Sequence, residues 1–289
     1  MPGLVPGIHV LLEKSWMAGT GPAMTNLRPV TLITGASSGI GVELARVFAL
    51  HGHALALVAR RADRLNLLAD EIAASGAPRP IIIATDLCLA NAAQAIRDLL
   101  TASGVEPQYV VNNAGFGLVG VTASLDRAEQ LSMIDLNVRT LTDLSLAFID
   151  SMQRHRGGLL NVGSIAGFLP GPGSAVYYAT KAYVLSFTEA LHSELKPRGI
   201  KVSVLCPGPV PTEFAARAGV VGNVAPGALS QTAQTVAQAG FDGLMSNTRT
   251  VVPGLANKLL LLAIRVLPRR FLLRMVDARQ SRRRAAQAA

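Results

Sequence analysis

Cysteine is nearly missing from this 289-residue chain, which holds only Cys88 and Cys206. The two stand far apart and match no metal-ligand or redox spacing, so a disulfide framework is excluded and both read as small core residues of a reducing cytoplasm. Tyrosine occurs four times and tryptophan once, so two tyrosines side by side invite a question. Acidic residues are few, 18 against 27 lysines and arginines, for a formal charge of +9. The excess is local: nine basic residues from Lys258 to the end face Asp277 alone, and the body before them is close to neutral. With no nucleic-acid motif beside it, this tail does not imply DNA or RNA. Long hydrophobic runs are missing too, although 50% of residues are apolar. The run from Leu259 to Ile264 is bracketed by Lys258 and Arg265, and it is too short to span a bilayer. Prolines, Glu13 and Lys14 interrupt MPGLVPGIHVLLEKSW where a secretory core would be continuous, so no signal peptide is expected and a cytoplasmic location is. His51, His53, His155 and His192 fall at no metal spacing, and no metal is expected.

What the chain does have is a repeated alternation of short β-branched runs with longer helical patterns. VTLIT (30–34), ALALVAR (54–60), PIIIATD (80–86), YVVNN (109–113), LLNVGS (159–164), KVSVLCP (201–207) and TRTVVPG (248–254) read as strands, most followed by a helical stretch. One such stretch runs from about Leu125 to Arg156. Strands apolar on both faces and separated by helices predict a parallel sheet covered on both sides, an α/β, Rossmann-like, doubly wound single domain. Ligands of such sheets bind at the carboxyl ends of the strands, near the switch point.

TGASSGIG (34–41) sits directly between the first strand and the first helix. There Gly35 can turn the chain, Gly39 can let the backbone approach a pyrophosphate, and Gly41 can let helix and strand pack closely. The helix start then offers free N–H groups and positive dipole to phosphates. At the end of the second strand stand Ala59, Arg60 and Arg61. No carboxylate is there to bind an adenosine ribose, and guanidinium groups suit a 2′-phosphate, so NADPH is expected over NADH with Arg60 as the leading contact.

SAVYYATKAY (174–183) puts Tyr177 four and Tyr178 three residues before Lys181. Both spacings place side chains on neighbouring turns of one helix face, so geometry alone leaves the choice open.

TGASSGIG together with NNAG (112–115), Asn137 in DLNV, Ser164 in NVGSIAG, Tyr177 with Lys181, and PGPVPT (207–212) resembles the short-chain dehydrogenase/reductase superfamily, over roughly residues 29–254. The resemblance implies Tyr177, in Tyr-x-x-x-Lys, as general acid for carbonyl reduction and base for alcohol oxidation. It implies Lys181 beside it as the cation that favours the phenolate, Ser164 as the donor to the substrate oxygen, and Asn137 as holder of a water in a proton relay. It further implies that Gly35, Ser37, Ser38, Gly39, Ile40 and Gly41 carry the cofactor's phosphates, that Asp86 bonds the adenine, and that Asn113 and Gly115 line the adenosine side. Pro207 and Gly208 would fold against the nicotinamide and Thr212 bond its carboxamide, although Pro211 constrains the backbone before Thr212. Asp86 also suits a bland turn-forming role, and Asn112 a purely structural one.

Residues 1–28 are expected to be an N-terminal extension, 29–254 the catalytic domain, and 255–289 a basic, apolar extension that Pro268 breaks into two helical pieces. The substrate segment after the sixth strand, 213–240, has no charged residue between Arg217 and Asp242, which favours an apolar carbonyl or alcohol. A 3-oxoacyl thioester is the alternative, and a non-catalytic nucleotide sensor a more distant one. The family implies a homodimer or homotetramer. For the tail, a lid over the pocket, an oligomer interface and peripheral contact with an anionic membrane all stay open.

Overall fold

The computed structural model describes residues 27–219 and 227–288. Most of the expected N-terminal extension and the side chains of Arg282, Arg283 and Arg284 lie outside the described residues. In chain order the elements are β1 (Arg28–Thr34), α1 (Gly39–Leu50), β2 (Leu55–Ala59), α2 (Ala62–Ala74), β3 (Ile81–Ala84), α3 (Ala92–Ala102) and β4 (Val105–Asn112). There follow α4 (Arg127–Ile134), α5 (Leu141–Ala147), α6 (Ile149–Arg154), β5 (Gly158–Val162), α7 (Ala175–Leu195), β6 (Lys201–Leu205), α8 (Glu213–Arg217), α9 (Ala233–Met245), β7 (Thr250–Val251), α10 (Leu255–Val266) and α11 (Arg269–Ala288).

The seven strands form one parallel sheet in the order β3-β2-β1-β4-β5-β6-β7. Successive residues of a strand face opposite sides, and here both sides are buried. Ile33, Leu57, Val111 and Leu160 pack with Phe48, Leu44 and Phe241 on one face. Leu32, Val58, Val110 and Leu159 pack with Ile96, Leu144 and Leu191 on the other. This is the single-domain, Rossmann-like architecture the strand pattern requires. The order reverses between β1 and β4, so their carboxyl ends open the crevice in which a ligand can sit.

The long helical stretch predicted from Leu125 to Arg156 is in fact four pieces. Asp126 caps α4, its carboxylate accepting the Glu129 N–H at 2.7 Å. A π-helical segment, Asp135–Thr140, follows and carries Asn137. α5 and α6 complete the stretch, with a break at Phe148. Beyond β7, α10 ends at Val266 and α11 starts at Arg269, because Pro268 cannot continue the first helix. Among the described residues no helix is long and apolar enough to cross a membrane.

Candidate active site

The glycine loop is built by mutual exclusion of side chains. Gly35 has φ +67°, and a Cβ on it would lie 2.8 Å from the Ala114 Cα. A Cβ on Gly41 would lie 2.2 Å from the Gly35 carbonyl oxygen, so no other residue fits there without moving the loop. Ser38 is the N-cap of α1 and makes no side-chain cap bond, which leaves the first N–H groups of the helix facing the crevice for an anion. Ile40 is partly buried against the core and anchors that first turn. Asn113 ties β4 to the loop: its Nδ2 donates to the carbonyls of Thr34 at 2.9 Å and Gly35 at 3.2 Å. Thr34 Oγ1 accepts in return from the N–H groups of Asn113 and Ala114. The observed work of Asn113 is therefore to hold the loop closed. Asn112 is structural in the same sense, with Nδ2 donating to Ser145 Oγ and Asn161 Oδ1.

The arginine that reaches this loop is Arg61. Its guanidinium donates to Ser37 Oγ at 3.2 and 3.3 Å and to the Ser37 carbonyl at 3.2 Å, and it pairs with Glu213 at 2.8 Å. Arg60, the residue favoured from sequence, is exposed and makes no salt bridge among the described residues. Asp86 lies two residues beyond β3, where its carboxylate accepts the Cys88 N–H at 3.0 Å, the turn-forming arrangement. Thr212 is extended (φ −142°) and caps α8. Pro211 does not keep it away from the loop, since a Cβ on Gly39 would come within 3.1 Å of its side chain.

Around the paired tyrosines the two rings part company. Tyr177 faces Phe214 and Gly117, with ring centroids 5.6 Å apart in the first case. Tyr178 instead packs over Gly171 and lines a cavity of about 710 Å³. That cavity is walled by Leu169, Pro170, Ala182, Ile264, Leu267 and Leu272 and contains neither Tyr177 nor Ser164. Ser164 follows β5 and its Oγ accepts the Ala166 N–H at 3.1 Å. Lys181 is buried, its Nζ donating to the Val162 carbonyl at 2.9 Å and lying 5.9 Å from the Tyr177 ring centroid. Gly115 brings the β4 turn against this centre, for a Cβ there would be 2.9 Å from Asn137 Oδ1 and 3.7 Å from Lys181 Nζ. Asn137 clamps the same turn: Nδ2 donates to the Phe116 carbonyl at 2.9 Å and Thr180 Oγ1 at 3.1 Å, and Oδ1 accepts the Phe116 N–H at 3.1 Å.

Burial pushes the Tyr177 phenol up to about 12, against a smaller downward pull from Ser164. Tyr177 as a whole is only partly buried. Burial likewise pushes Lys181 down to about 8. Lys181 is not among the groups that shift the tyrosine here: desolvation disfavours both charged forms, and the ammonium donates to the Val162 carbonyl. Cys206, next to this centre, is pushed up to about 12 by burial, so it stays a thiol as a core residue should.

A residue that sequence reasoning missed is Asn257, in the first turn of α10. Fully buried, it donates through Nδ2 to Pro253 O at 3.0 Å and Leu229 O at 3.3 Å, and its Oδ1 has no partner among the described residues. A Cβ on Gly208 would lie 2.6 Å from that carboxamide. The Pro207–Gly208 turn, whose Pro207 carbonyl accepts the Ile165 N–H at 3.0 Å, thus rests on the C-terminal extension. A lone asparagine in LANKLLLL carries no pattern that would reveal this.

The loop and centre fit a nicotinamide dinucleotide: a helix start with unused N–H groups, a turn too crowded for any Cβ, and a guanidinium at its rim. The sequence profile of short chain dehydrogenases matches residues 29–220. The chain belongs to the short-chain dehydrogenase family. This short-chain dehydrogenase is 38% identical over 188 residues to sulfoacetaldehyde reductase 2 of Chromohalobacter salexigens, covering 64% of this chain and 74% of that one. Its fold superposes with a TM-score of 0.72 on a short-chain dehydrogenase from Sphingobium yanoikuyae in complex with NADPH, at 32% identity over 81% of this chain and 92% of that one. It is also similar to the bulky-bulky ketone specific alcohol dehydrogenase of Comamonas testosteroni, with TM-score 0.67, 28% identity, and 89% and 94% of the two chains covered. The protein is an oxidoreductase of the short-chain type.

Proposed function

We propose that this enzyme is an NADPH-dependent reductase of carbonyl groups on apolar molecules, running in reverse as an alcohol dehydrogenase. The observation that carries the reading is the placement of Tyr177 beside Ser164 with the buried Lys181 5.9 Å from its ring centroid. When bound, the cofactor supplies a hydride to the carbonyl carbon. Ser164 donates a hydrogen bond to the carbonyl oxygen as charge grows there. Tyr177 gives its proton to that oxygen, a downhill transfer because an alkoxide is more basic than a phenolate. Lys181, near 8 rather than 10.5, is close enough to neutral pH to return a proton to the centre. Asn137 holds the Phe116 turn in register, and a water relay through it remains part of this proposal. Thr212, Pro207 and Gly208 hold the nicotinamide, with Asp86 toward the adenosine, whereas Gly115, expected there, lies against Asn137 and Lys181.

The likeness to a bulky-ketone dehydrogenase supports a bulky substrate. The likeness to a sulfoacetaldehyde reductase favours a small, anionic aldehyde instead. Assaying apolar ketones, 3-oxoacyl thioesters and sulfoacetaldehyde side by side decides between them. Turnover confined to the anionic aldehyde would overturn the apolar reading. Leu131, Ile134, Leu146 and Tyr183 are exposed on α4, α5 and α7, and they support association of copies through that surface.

The cofactor preference rests on Arg61 more than Arg60. NADPH is expected to exceed NADH by at least about tenfold in kcat/KM, or roughly 1.4 kcal/mol. Arg61→Ala should erase most of that margin and Arg60→Ala less. Equal use of the two cofactors by the wild type would defeat the assignment.

A further inference from the structure

α10 is apolar on two opposite faces. Its inner face, with Leu261 and Ile264 buried and joined by Leu272 of α11, packs against Ile165, Phe168, Leu169 and Val252. Its outer face exposes Leu255, Leu259, Leu262 and Val266 at 73, 57, 61 and 79%. Those four recur at steps of four, three and four, so they form one stripe along the helix, diametrically away from the core. Phe271 and Met275, one turn apart on α11, add two more exposed apolar side chains. Lys258 and Arg265 are seven residues apart along one flank of the stripe, and Arg270 and Arg274 follow on α11; all four are exposed. Among the described residues none of the four enters a salt bridge. No acidic residue occurs between Leu255 and Val276.

We infer that the outer face of α10, with the adjoining face of α11, docks this enzyme on the surface of an anionic lipid bilayer. A twelve-residue helix is too short to span a bilayer, but an aliphatic stripe flanked by cations is the pattern of a helix lying in the interfacial plane. Lys258 and Arg265 can run their methylene stems along the stripe and place their charges among headgroups. A second copy of this chain is the poorer occupant. A twofold contact sets a face against itself, and here that would oppose the cations of α10 and the first turns of α11 to one another, with no acidic residue in them before Asp277. The acyl boundary and anionic headgroups satisfy stripe and charge together.

The test uses the full chain in vesicle flotation, with point variants rather than truncation, because deletion after Gly254 would also remove Asn257 from beneath the Pro207–Gly208 turn. Intact protein should float with phosphatidylserine-containing vesicles, hardly at all with pure phosphatidylcholine, and less in high salt. Leu259→Glu with Leu262→Glu should abolish flotation. Lys258→Ala should lower it about fivefold, from roughly 1 kcal/mol per cation at such a surface. These positions are exposed, so an unchanged circular dichroism spectrum and unchanged NADPH binding should accompany the loss. Intact protein left wholly in the supernatant with anionic vesicles at low salt overturns the inference. So does equal flotation with neutral vesicles, or a dimer in solution that only the double glutamate variant dissociates.

Discussion

Tyr177→Phe is expected to lower kcat for ketone reduction by roughly 10³-fold and to leave NADPH affinity unchanged, whereas Tyr178→Phe should keep kcat within about threefold of wild type, well short of the loss of a general acid. The two rings are adjacent in sequence but serve different spaces. Tyr177 shares its surroundings with Ser164 and sits above Lys181. Tyr178 lies on Gly171 and the apolar cavity. Removing the Tyr177 hydroxyl takes away the proton donor while the glycine loop, Arg61 and Asn113 are untouched, so binding survives. Removing the Tyr178 hydroxyl changes the wall of a cavity that holds neither Tyr177 nor Ser164, so the chemical step should be little affected. An active Tyr177→Phe beside a dead Tyr178→Phe would show the site to be misassigned.

Lys181→Met is expected to lower turnover by about 10²-fold while altering stability in a pH-dependent way. Lys181 is held near 8 in the fold against 10.5 when exposed, and the shift amounts to about 3 kcal/mol. Below pH 8 the lysine is charged in both folded and unfolded chains, so the full penalty of burying the ammonium bears on the fold. Between pH 8 and 10.5 the unfolded chain binds the proton more tightly, so wild-type stability rises with pH relative to the variant. Above 10.5 the lysine is neutral in both states and the penalty is gone. Methionine removes the penalty at every pH but strands the Val162 carbonyl, a loss of about 1–3 kcal/mol that does not vary with pH. The identifying result is therefore the slope: the variant's stability minus that of wild type should fall by about 3 kcal/mol from pH 7 to 10.5 in urea unfolding. Tyr177 titrates in both proteins and cancels. A difference that stays flat across that range would contradict the burial of a charged Lys181.

The sheet was legible because its strands are short, β-branched and separated by longer periodic stretches, and because TGASSGIG falls where β1 must hand over to α1. Asn137 could be named by resemblance, but not its π-helical setting. A π turn adds one residue to a helix without interrupting the run of helix-compatible residues, so no periodicity marks it. The choice between Arg60 and Arg61 was illegible for another reason. Both lie beyond the end of β2, Arg61 being the N-cap of α2, and only the path of that turn decides which side chain meets Ser37. β7 shrank to two residues and β4 began four residues earlier than YVVNN suggests, since strand ends depend on the neighbour as much as on composition. Asn257 and the direction of the Lys181 and Tyr177 shifts depend on burial created by distant segments, which a linear reading does not weigh.

The most direct test of the catalytic assignment follows a labelled hydride. NADPH carrying deuterium at its hydride-bearing carbon is incubated with the enzyme and a panel of apolar ketones, and the alcohols are analysed by mass spectrometry. The expected result is deuterium on the carbinol carbon of at least one product with the wild type, formed roughly 10³-fold more slowly with Tyr177→Phe. Wild-type protein that binds NADPH yet yields no labelled alcohol from any ketone, or a Tyr177→Phe variant that labels product as fast as wild type, would contradict it.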